Sequence, residues 1–566
     1  MAWLPLSEEV FKKAEAEDKP LFISIGYSAC HWCHVMARES FEDEEIAALL
    51  NEHFIPVKVD REEYPEVDAV YLLACEIVRG QAGWPLTVLA LPDGWPFFLA
   101  TYLPKEGRGF YLGVKELLLA VQQNWHLDRK RILTAAEKIK GALRQVRFTN
   151  PGTFEKEAVL RKAFEDLSAV FDKEHGGFGE APKFPTPLRL LFLLRFGKIF
   201  EEPRALEMVK KTLFKMRFSG IFDQVGFGFH RYTIDRAWKV PHFEKMLYDQ
   251  GLLLYLYAEE ASVFNEPLLE RVAQEIVTYL RDRLQDPEKG YFYTAESAES
   301  ETEEGRFYTW SREELKEFLS DEELKILTEY FDLREEGNYL EEATGKPCGR
   351  NVLHPVKFPW EFGGRDFEKK LTPILRKLRV ARDKRPRPPR DEKILTDGNA
   401  LVIAGLARAG KLLGEQEFVK MAEKAFTSLW KEAYPSKGLL HIPGESRFPG
   451  LLEDYVFLAW AGLELAEASG NSSYLSKVEM LLGDTRKLFA DPSGLFRQIG
   501  KNRGSFLIPY FPLFEGALPS GNGLLAYLFA RLGREEKAQK ILQSIGGHLR
   551  ENPAGCPSFM LSLLLL

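Results

Sequence analysis

The run Cys30-His31-Trp32-Cys33 constrains this chain more than any other feature, because it follows a short apolar β-rich segment, Pro20-Leu21-Phe22-Ile23-Ser24-Ile25-Gly26. A buried strand that breaks into a helix at two such cysteines puts one sulfur at the helix N-terminus and the other one turn later on the same face. Unpaired backbone N–H groups and the helix dipole stabilise a thiolate at the first position, so Cys30 is expected to be the attacking thiol. Cys33 is then placed to resolve a mixed disulfide. His31, with Trp32 and His34 beside it, adds positive potential that stabilises the reduced thiolate and makes the disulfide more oxidising.

The surrounding pattern predicts a helix over 7–17, a helix over 43–50, a strand over 54–59, a helix over 65–78, strands near 86–91 and 96–102, and a helical stretch over 114–147. The order β-α-β-α-β-β-α, with C-x-x-C at the first strand-to-helix junction, is the thioredoxin arrangement. Gly83-Trp84-Pro85 precedes an apolar strand, and an X-Pro bond is the economical place for a cis peptide, so Trp84 and Pro85 are expected beside the dithiol. Zinc is the competing reading: Cys30, Cys33 and His34 could ligate it, with His31 or His53 as the fourth donor. The redox reading is preferred, with no metal and no cofactor beyond the Cys30-Cys33 pair itself. Cys75, Cys348 and Cys556 read as small hydrophobes or loop residues without a role.

Five cysteines in 566 residues cannot be a disulfide framework, and a lone C-x-x-C suits a reducing compartment. The start of the chain shows no charged segment followed by an apolar one, and the apolar tail from Phe559 to Leu566 is too short to span a bilayer. A cytoplasmic protein without a membrane span is expected, its tail a docked terminal helix. The net charge of -8 offers no basic field to neutralise phosphates, so nucleic acid is not expected as a partner. The oligomeric state is not legible.

After Pro151-Gly152 the periodicity becomes helical, in stretches near 158–171, 187–218, 244–283, 311–331, 366–382, 394–432, 451–489 and 520–550, enough for roughly a dozen helices. Between them a signature recurs: His175-Gly176-Gly177-Phe178, Lys289-Gly290-Tyr291-Phe292, Lys437-Gly438-Leu439-Leu440 and Ser493-Gly494-Leu495-Phe496. Degenerate repeats of helical hairpins suit an (α/α)6 toroid, with an open solenoid as the alternative. The chain therefore divides into a thioredoxin-like α/β domain, 1–150, and an all-α toroid, 151–566. The basic, proline-rich run Asp383 to Arg390 is expected to be a solvated loop.

The densest chemistry of the second half is Asp223, His230, Arg231 and Trp238, followed by His242, Glu244, Tyr248 and Asp249. Histidines, acids and aromatics in loops between helices can line a funnel that moves protons or stacks on sugars. Glu296, Glu299, Arg306, Trp310, Asp397, Asn399, Glu453, Asp454, Tyr455 and Asn522 lie at expected loop-to-helix entrances and join the set. Each is also an ordinary helix cap or a satisfier of loop carbonyls. A glycosidase-type carboxylate pair, Asp223 with Glu453, is one reading of the acids.

The run from Ser24 through Cys30-His31-Trp32-Cys33-His34-Val35-Met36 to Glu39-Ser40-Phe41, and the run from Pro241 to Asp249, resemble the YyaL-type, spermatogenesis-associated thioredoxin-domain family. The resemblance extends through Val59-Asp60-Arg61-Glu62-Glu63, Gly83-Trp84-Pro85-Leu86-Thr87, Asn351-Val352-Leu353-His354, Lys393-Ile394-Leu395-Thr396 and Pro519-Ser520-Gly521-Asn522. It implies a thioredoxin-like domain joined to a six-hairpin toroid similar to glycosidases and N-acylglucosamine 2-epimerases. The chain departs from that pattern in Glu296-Ser297-Ala298-Glu299-Ser300, where the family has Glu-Asp-Ala-Asp-Ser, and in Thr396-Asp397-Gly398-Asn399-Ala400, where it has Thr-x-Trp-Asn-Gly. Three functions are open: a thiol-disulfide oxidoreductase acting on a protein client, a carbohydrate-active enzyme acting on a sugar-like substrate, and a non-catalytic binding or chaperone-like protein.

Overall fold

The structure, a computed structural model, describes residues 1–107, 109, 112–340, 345–435 and 438–566; Lys437 of the third repeat signature lies outside the described residues. The chain forms two units, Met1–Phe148 with Arg497–Phe511, and Thr149–Phe496 with Pro512–Leu566.

The first unit runs β1 (Leu4–Pro5), α1 (Glu8–Ala16), β2 (Leu21–Gly26), α2 (His31–Met36), α3 (Glu44–His53), β3 (Ile55–Asp60), α4 (Pro65–Arg79), β4 (Leu86–Ala90), β5 (Pro96–Ala100), α5 (Val114–Leu127) and α6 (Arg129–Gln145). The strands form one sheet in the order β1-β3-β2-β4-β5. β3 runs parallel to β1 and β2, while β4 is antiparallel to β2 and β5. β2 and β4 are buried along their length, which is why they read as continuous apolar runs rather than alternating ones. The helical stretch 114–147 is broken at Asp128, whose carboxylate accepts the Arg131 N–H and starts α6. β1 was not legible, since two residues carry no periodicity.

The expected boundary at 150 needs one correction. Residues 497–511 belong to the sheet unit rather than to the toroid. Ile508 is buried in the core that β2, β3, β4 and α4 share, with Phe506, Leu507 and Tyr510 packed against it. Tyr71 meets Phe506 edge to face at 5.2 Å. Tertiary packing of apolar side chains, which has no local signature, moves this segment across the boundary.

The second unit begins with α7 (Lys156–Ala169), α8 (Pro187–Ile199), α9 (Pro203–Arg217), α10 (Leu247–Phe264) and α11 (Pro267–Tyr279). It continues through α12 (Arg312–Phe318), α13 (Asp321–Phe331) and α14 (Arg365–Arg382), then α15 (Thr396–Leu413), α16 (Gln416–Ala433), α17 (Leu452–Ser469) and α18 (Ser473–Phe489). It ends in α19 (Gly521–Arg531), α20 (Glu535–Ser544), α21 (Gly546–Glu551) and α22 (Pro557–Leu563). α8, α10, α15, α17, α19 and α22 each touch the next, and α22 touches α8, so they close a ring. α9, α11, α16, α18 and α20 back the first five, and α7, the first helix of the unit, backs α22, the last. The expected (α/α)6 toroid is thus closed by the two ends of its own chain. α10 and α17 are buried on nearly every side, while α9, α11 and α16 bury one face, as inner and outer positions require. Gly251 and Gly405 allow α10 and α15 their close approach: a Cβ on Gly405 would lie 2.5 Å from the Gly251 carbonyl oxygen.

A turn of the repeat-signature kind follows the outer helices α7, α9, α11 and α18. Asp172, Asp223, Asp286 and Asp491 each donate their N–H to a carbonyl four or five residues on and accept turn N–H groups on their carboxylates. The aromatic residue after the turn is gripped through its backbone by a side-chain amide of an inner helix: Phe229 by Gln250, Phe292 by Asn399, Phe496 by Asn522.

The inner helices are parallel, because residues near their C-terminal ends meet in one buried ion network: Arg195 with Glu259, Glu259 with Arg408, and Glu464 with Arg531. Their N-termini therefore share the opposite end. Among the described residues, no helix is long and apolar enough to cross a membrane. The loop expected to be solvated is largely exposed, but two of its arginines turn onto neighbouring segments. Arg385 lies 3.7 Å above the Trp310 ring and donates to the Phe307 and Thr309 carbonyls, while Arg390 donates to the Arg283 carbonyl, so guanidinium groups satisfy loop oxygens there.

Candidate functional site

Each unit carries chemically capable residues. In the sheet unit, β2 ends at Gly26 and Cys30 is the N-cap of α2. Cys30 and Cys33 are joined as a disulfide with a Cα–Cα distance of 5.3 Å, and the Cys33 N–H donates to Cys30 Sγ at 3.2 Å. The same N–H is positioned to stabilise a Cys30 thiolate once the bond is reduced. Gly26 makes room for Cys33, since a Cβ there would sit 2.7 Å from its sulfur.

The Trp84–Pro85 bond is cis, as expected; Ala181–Pro182, which was not anticipated, is cis as well. Trp84 is fixed by a 2.8 Å hydrogen bond from its Nε1 to Asp68, and its ring lies 3.9 Å below the Arg61 guanidinium. Burial pushes the Asp68 carboxyl up to about 6, against the opposing pull of Arg61 and the Trp84 N–H. Trp32 packs edge-on against His31 at 5.6 Å and against Tyr102 at 5.2 Å. Cys30, Cys33 and His31 are all buried.

In the toroid, one set of the candidate residues gathers along the segment that enters α10. The Arg231 N–H donates to the Glu244 carbonyl, and Tyr232 pairs with His242. Arg231 donates to both oxygens of Asp249, at 3.2 and 3.1 Å, beneath the Tyr248 ring. Burial raises the Asp249 carboxyl to about 6 despite that arginine. His242 lies 2.7 Å from Glu304 and 3.7 Å from Glu244. Burial opposes its charge, but the two carboxylates outweigh burial and hold the imidazole up at about 10. His230 behaves oppositely. Burial, with Lys245 nearby, holds it well below its ordinary range, and its Nδ1 lies 2.9 Å from the Phe243 carbonyl oxygen.

Asp223 is engaged by Lys245 and Arg382, each at 2.8 Å; although burial works against its charge, these cations hold its carboxyl well below the usual range. It also caps its own turn at Val225 and Gly226. Such a carboxylate stays ionised and does not donate a proton. Glu296, opposite Lys245 in the short strand pairing, takes Tyr279 and Arg283. Lys245, Glu304, Tyr308 and Arg382 complete the group. Spacing gave no signal for Glu304, Tyr308 or Arg382, which are distant in sequence.

A second polar group lies at the N-termini of α15 and α17: Asp397, Glu453 and Asp454, joined by His441, which sequence reasoning missed. His441 Nδ1 is 2.9 Å from Asp454. Burial, with Asp454 and Asp397 beside it, raises the Glu453 carboxyl to about 8.

The remaining candidates have structural employment. Trp238 is buried, donates to the His175 carbonyl and packs under Lys183. Arg306 is exposed and pairs with Glu301 and Glu303. Trp310 is a core residue among α12, α13 and α14. The Tyr455 hydroxyl accepts the Leu439 N–H, Asn399 and Asn522 grip repeat turns, and buried Glu299 pairs across a two-residue ribbon with Glu304.

A family model described as "Protein of unknown function, DUF255", also named Thioredox_DsbH, matches residues 1–144. Spermatogenesis-associated protein 20 of Homo sapiens is 34% identical over 99% of this chain and 78% of its own length. The Mus musculus protein of the same name is 33% identical, and an uncharacterized Caenorhabditis elegans protein 31% over 82% of its length. Among solved structures, cellobiose 2-epimerase from Bacillus thermoamylovorans is similar over 73% of this chain and 98% of its own, at 10% identity and TM-score 0.46. A D-mannose isomerase is similar over 70% and 84%, at 12% identity and TM-score 0.44.

Proposed function

We propose that this chain, which belongs to the family of spermatogenesis-associated protein 20, exchanges thiols and disulfides at Cys30 and Cys33, and that its toroid holds the substrate. The observation that carries the reading is the seating of Cys30 as N-cap of α2, directly after β2, with the Cys33 N–H on its sulfur. In the reducing direction the Cys30 thiolate attacks a client disulfide, forms the mixed disulfide and expels one client thiolate. Cys33 loses its proton and attacks Cys30 Sγ, which releases the second client thiolate and closes the Cys30–Cys33 bond. Two electrons pass to the client, and a second dithiol must reduce the protein for turnover. Oxidation of a client dithiol is the same sequence reversed. The reading includes a reducing compartment, the cytoplasm, and a protein thiol as client.

Cys33→Ser is the test. It blocks resolution, so a client should accumulate as a covalent adduct on Cys30 that reductant releases. If no adduct forms, and Cys30→Ser retains wild-type exchange with a small disulfide, the reading fails.

A second reading, a carbohydrate-active toroid with a redox-regulatory domain, is favoured by one observation. His230 and His242, on neighbouring segments, are held neutral and protonated respectively, the division of labour that acid and base catalysis needs. Sugar epimerisation or hydrolysis that His242→Ala leaves intact would exclude this site.

A further inference from the structure

The group at the N-termini of α15 and α17 takes no part in thiol exchange or in the pairings around His242. One donor atom from each of Asp397, His441 and Asp454 lies within 4.8 Å of the other two. Small side-chain rotations close that span to the donor separations found around an ion with bonds of about 2.1 Å. The Asp454 carboxylate is already oriented, accepting the Leu451 N–H at 2.8 Å and meeting His441 Nδ1 at 2.9 and 3.0 Å. Nδ1 is thus the imidazole nitrogen that faces Asp454, and a cation shared by the two takes the place of the proton between them, which binding releases.

Glu453 supplies a separate observation. It is 8% exposed, and its Oε2 is buried without a hydrogen-bond partner. It stands next to Asp454 in the first turn of α17. Its other oxygen is close to the Gly521 backbone, where an added Cβ would come within 3.2 Å of it. A buried carboxylate oxygen with no donor is costly, and three carboxylates around one imidazole form the donor set of a cation.

We infer that Asp397, His441 and Asp454, with Glu453 beside them, form a binding site for one divalent cation of the zinc or manganese class. The mixture of imidazole nitrogen and carboxylate oxygen selects those ions over the softer thiolate-seeking ones. The inference does not rest on the dithiol reading and uses none of its residues.

The test uses the full chain with the Cys30–Cys33 disulfide closed, so that the dithiol takes no zinc. Protein stripped with EDTA is titrated with Zn²⁺ and separately with Mn²⁺, and bound metal is counted by mass spectrometry after gel filtration. One equivalent per chain is expected for at least one of the ions, with a rise in melting temperature. Asp397→Asn and Glu453→Gln should each weaken binding by about tenfold or more. A Cys30→Ser, Cys33→Ser double variant should bind as wild type. Asp397 is at a helix start rather than in the ring's core, so its variant carries the test if Glu453→Gln does not fold, with circular dichroism as the check. Absence of stoichiometric binding in the wild type, or equal binding by wild type and Asp397→Asn, overturns the site.

Discussion

The dithiol and the α10 entrance of the toroid both hold functional groups where a strand or loop runs into a helix, yet they are built differently. At the dithiol, four consecutive residues carry the chemistry, and the fold supplies a helix N-terminus and a glycine. At the α10 entrance, each group comes from a different segment and is already engaged: Asp223 by Lys245 and Arg382, His242 by Glu304, Arg231 by Asp249. A local motif keeps its reactive atom available, whereas a dispersed polar cluster spends most of its charges on one another, since buried charges must be paired. Abundance of polar residues is therefore a poor guide to reactivity.

If the toroid cluster is chiefly a set of mutual pairings, disrupting one should be felt as stability. Lys245→Met leaves Asp223 with one cation where it had two, and should destabilise the protein by about 3 kcal/mol in denaturant unfolding. A loss below about 1 kcal/mol would mean that the cluster is not held by its charges.

The next effect is the pH response of His242. Its folded pKa of about 10 lies above the unfolded value of about 6.5, so its contribution is full below pH 6.5 and is lost as pH rises through 10. Wild type should therefore lose stability relative to His242→Gln between those limits, and parallel stability profiles would show that the imidazole is not charged.

Gly26→Ala probes the other side of the comparison. Its new methyl meets Cys33 Sγ, and about 1 to 2 kcal/mol should be lost together with thiol-exchange rate, read by disulfide-reduction kinetics. An unchanged rate would mean that the sulfur does not need that space. The smallest effect is Arg306→Ala, which removes exposed ion pairs only and should change stability by less than about 0.5 kcal/mol and no activity.

The repeat turns link the two halves of the problem. Their glycine and aromatic residues were visible as a recurring signature, and that signature was enough to expect hairpins. The amides that grip them, Gln250, Asn399 and Asn522, looked like candidate site residues or like nothing, because an amide bonding to a backbone 21, 107 or 26 residues away has no fixed sequence spacing. The same limit concealed His441 and Glu304, each a loop residue whose partners come from another segment. It also concealed that Arg385 and Arg390, in the largely exposed run from Asp383 to Arg390, donate to carbonyls of other segments.

What the sequence determined by itself is whatever depends on neighbours within a turn or two: the strand before Cys30, the helix dipole on its sulfur, the alternation of helices and the turns between them. What only the tertiary structure decided is which charges face each other, that α7 closes the ring against α22, and that residues 497–511 join the sheet unit. The physical reason is that backbone geometry and helix capping are short-range, whereas burial and charge pairing are set by groups brought together only when the ring closes.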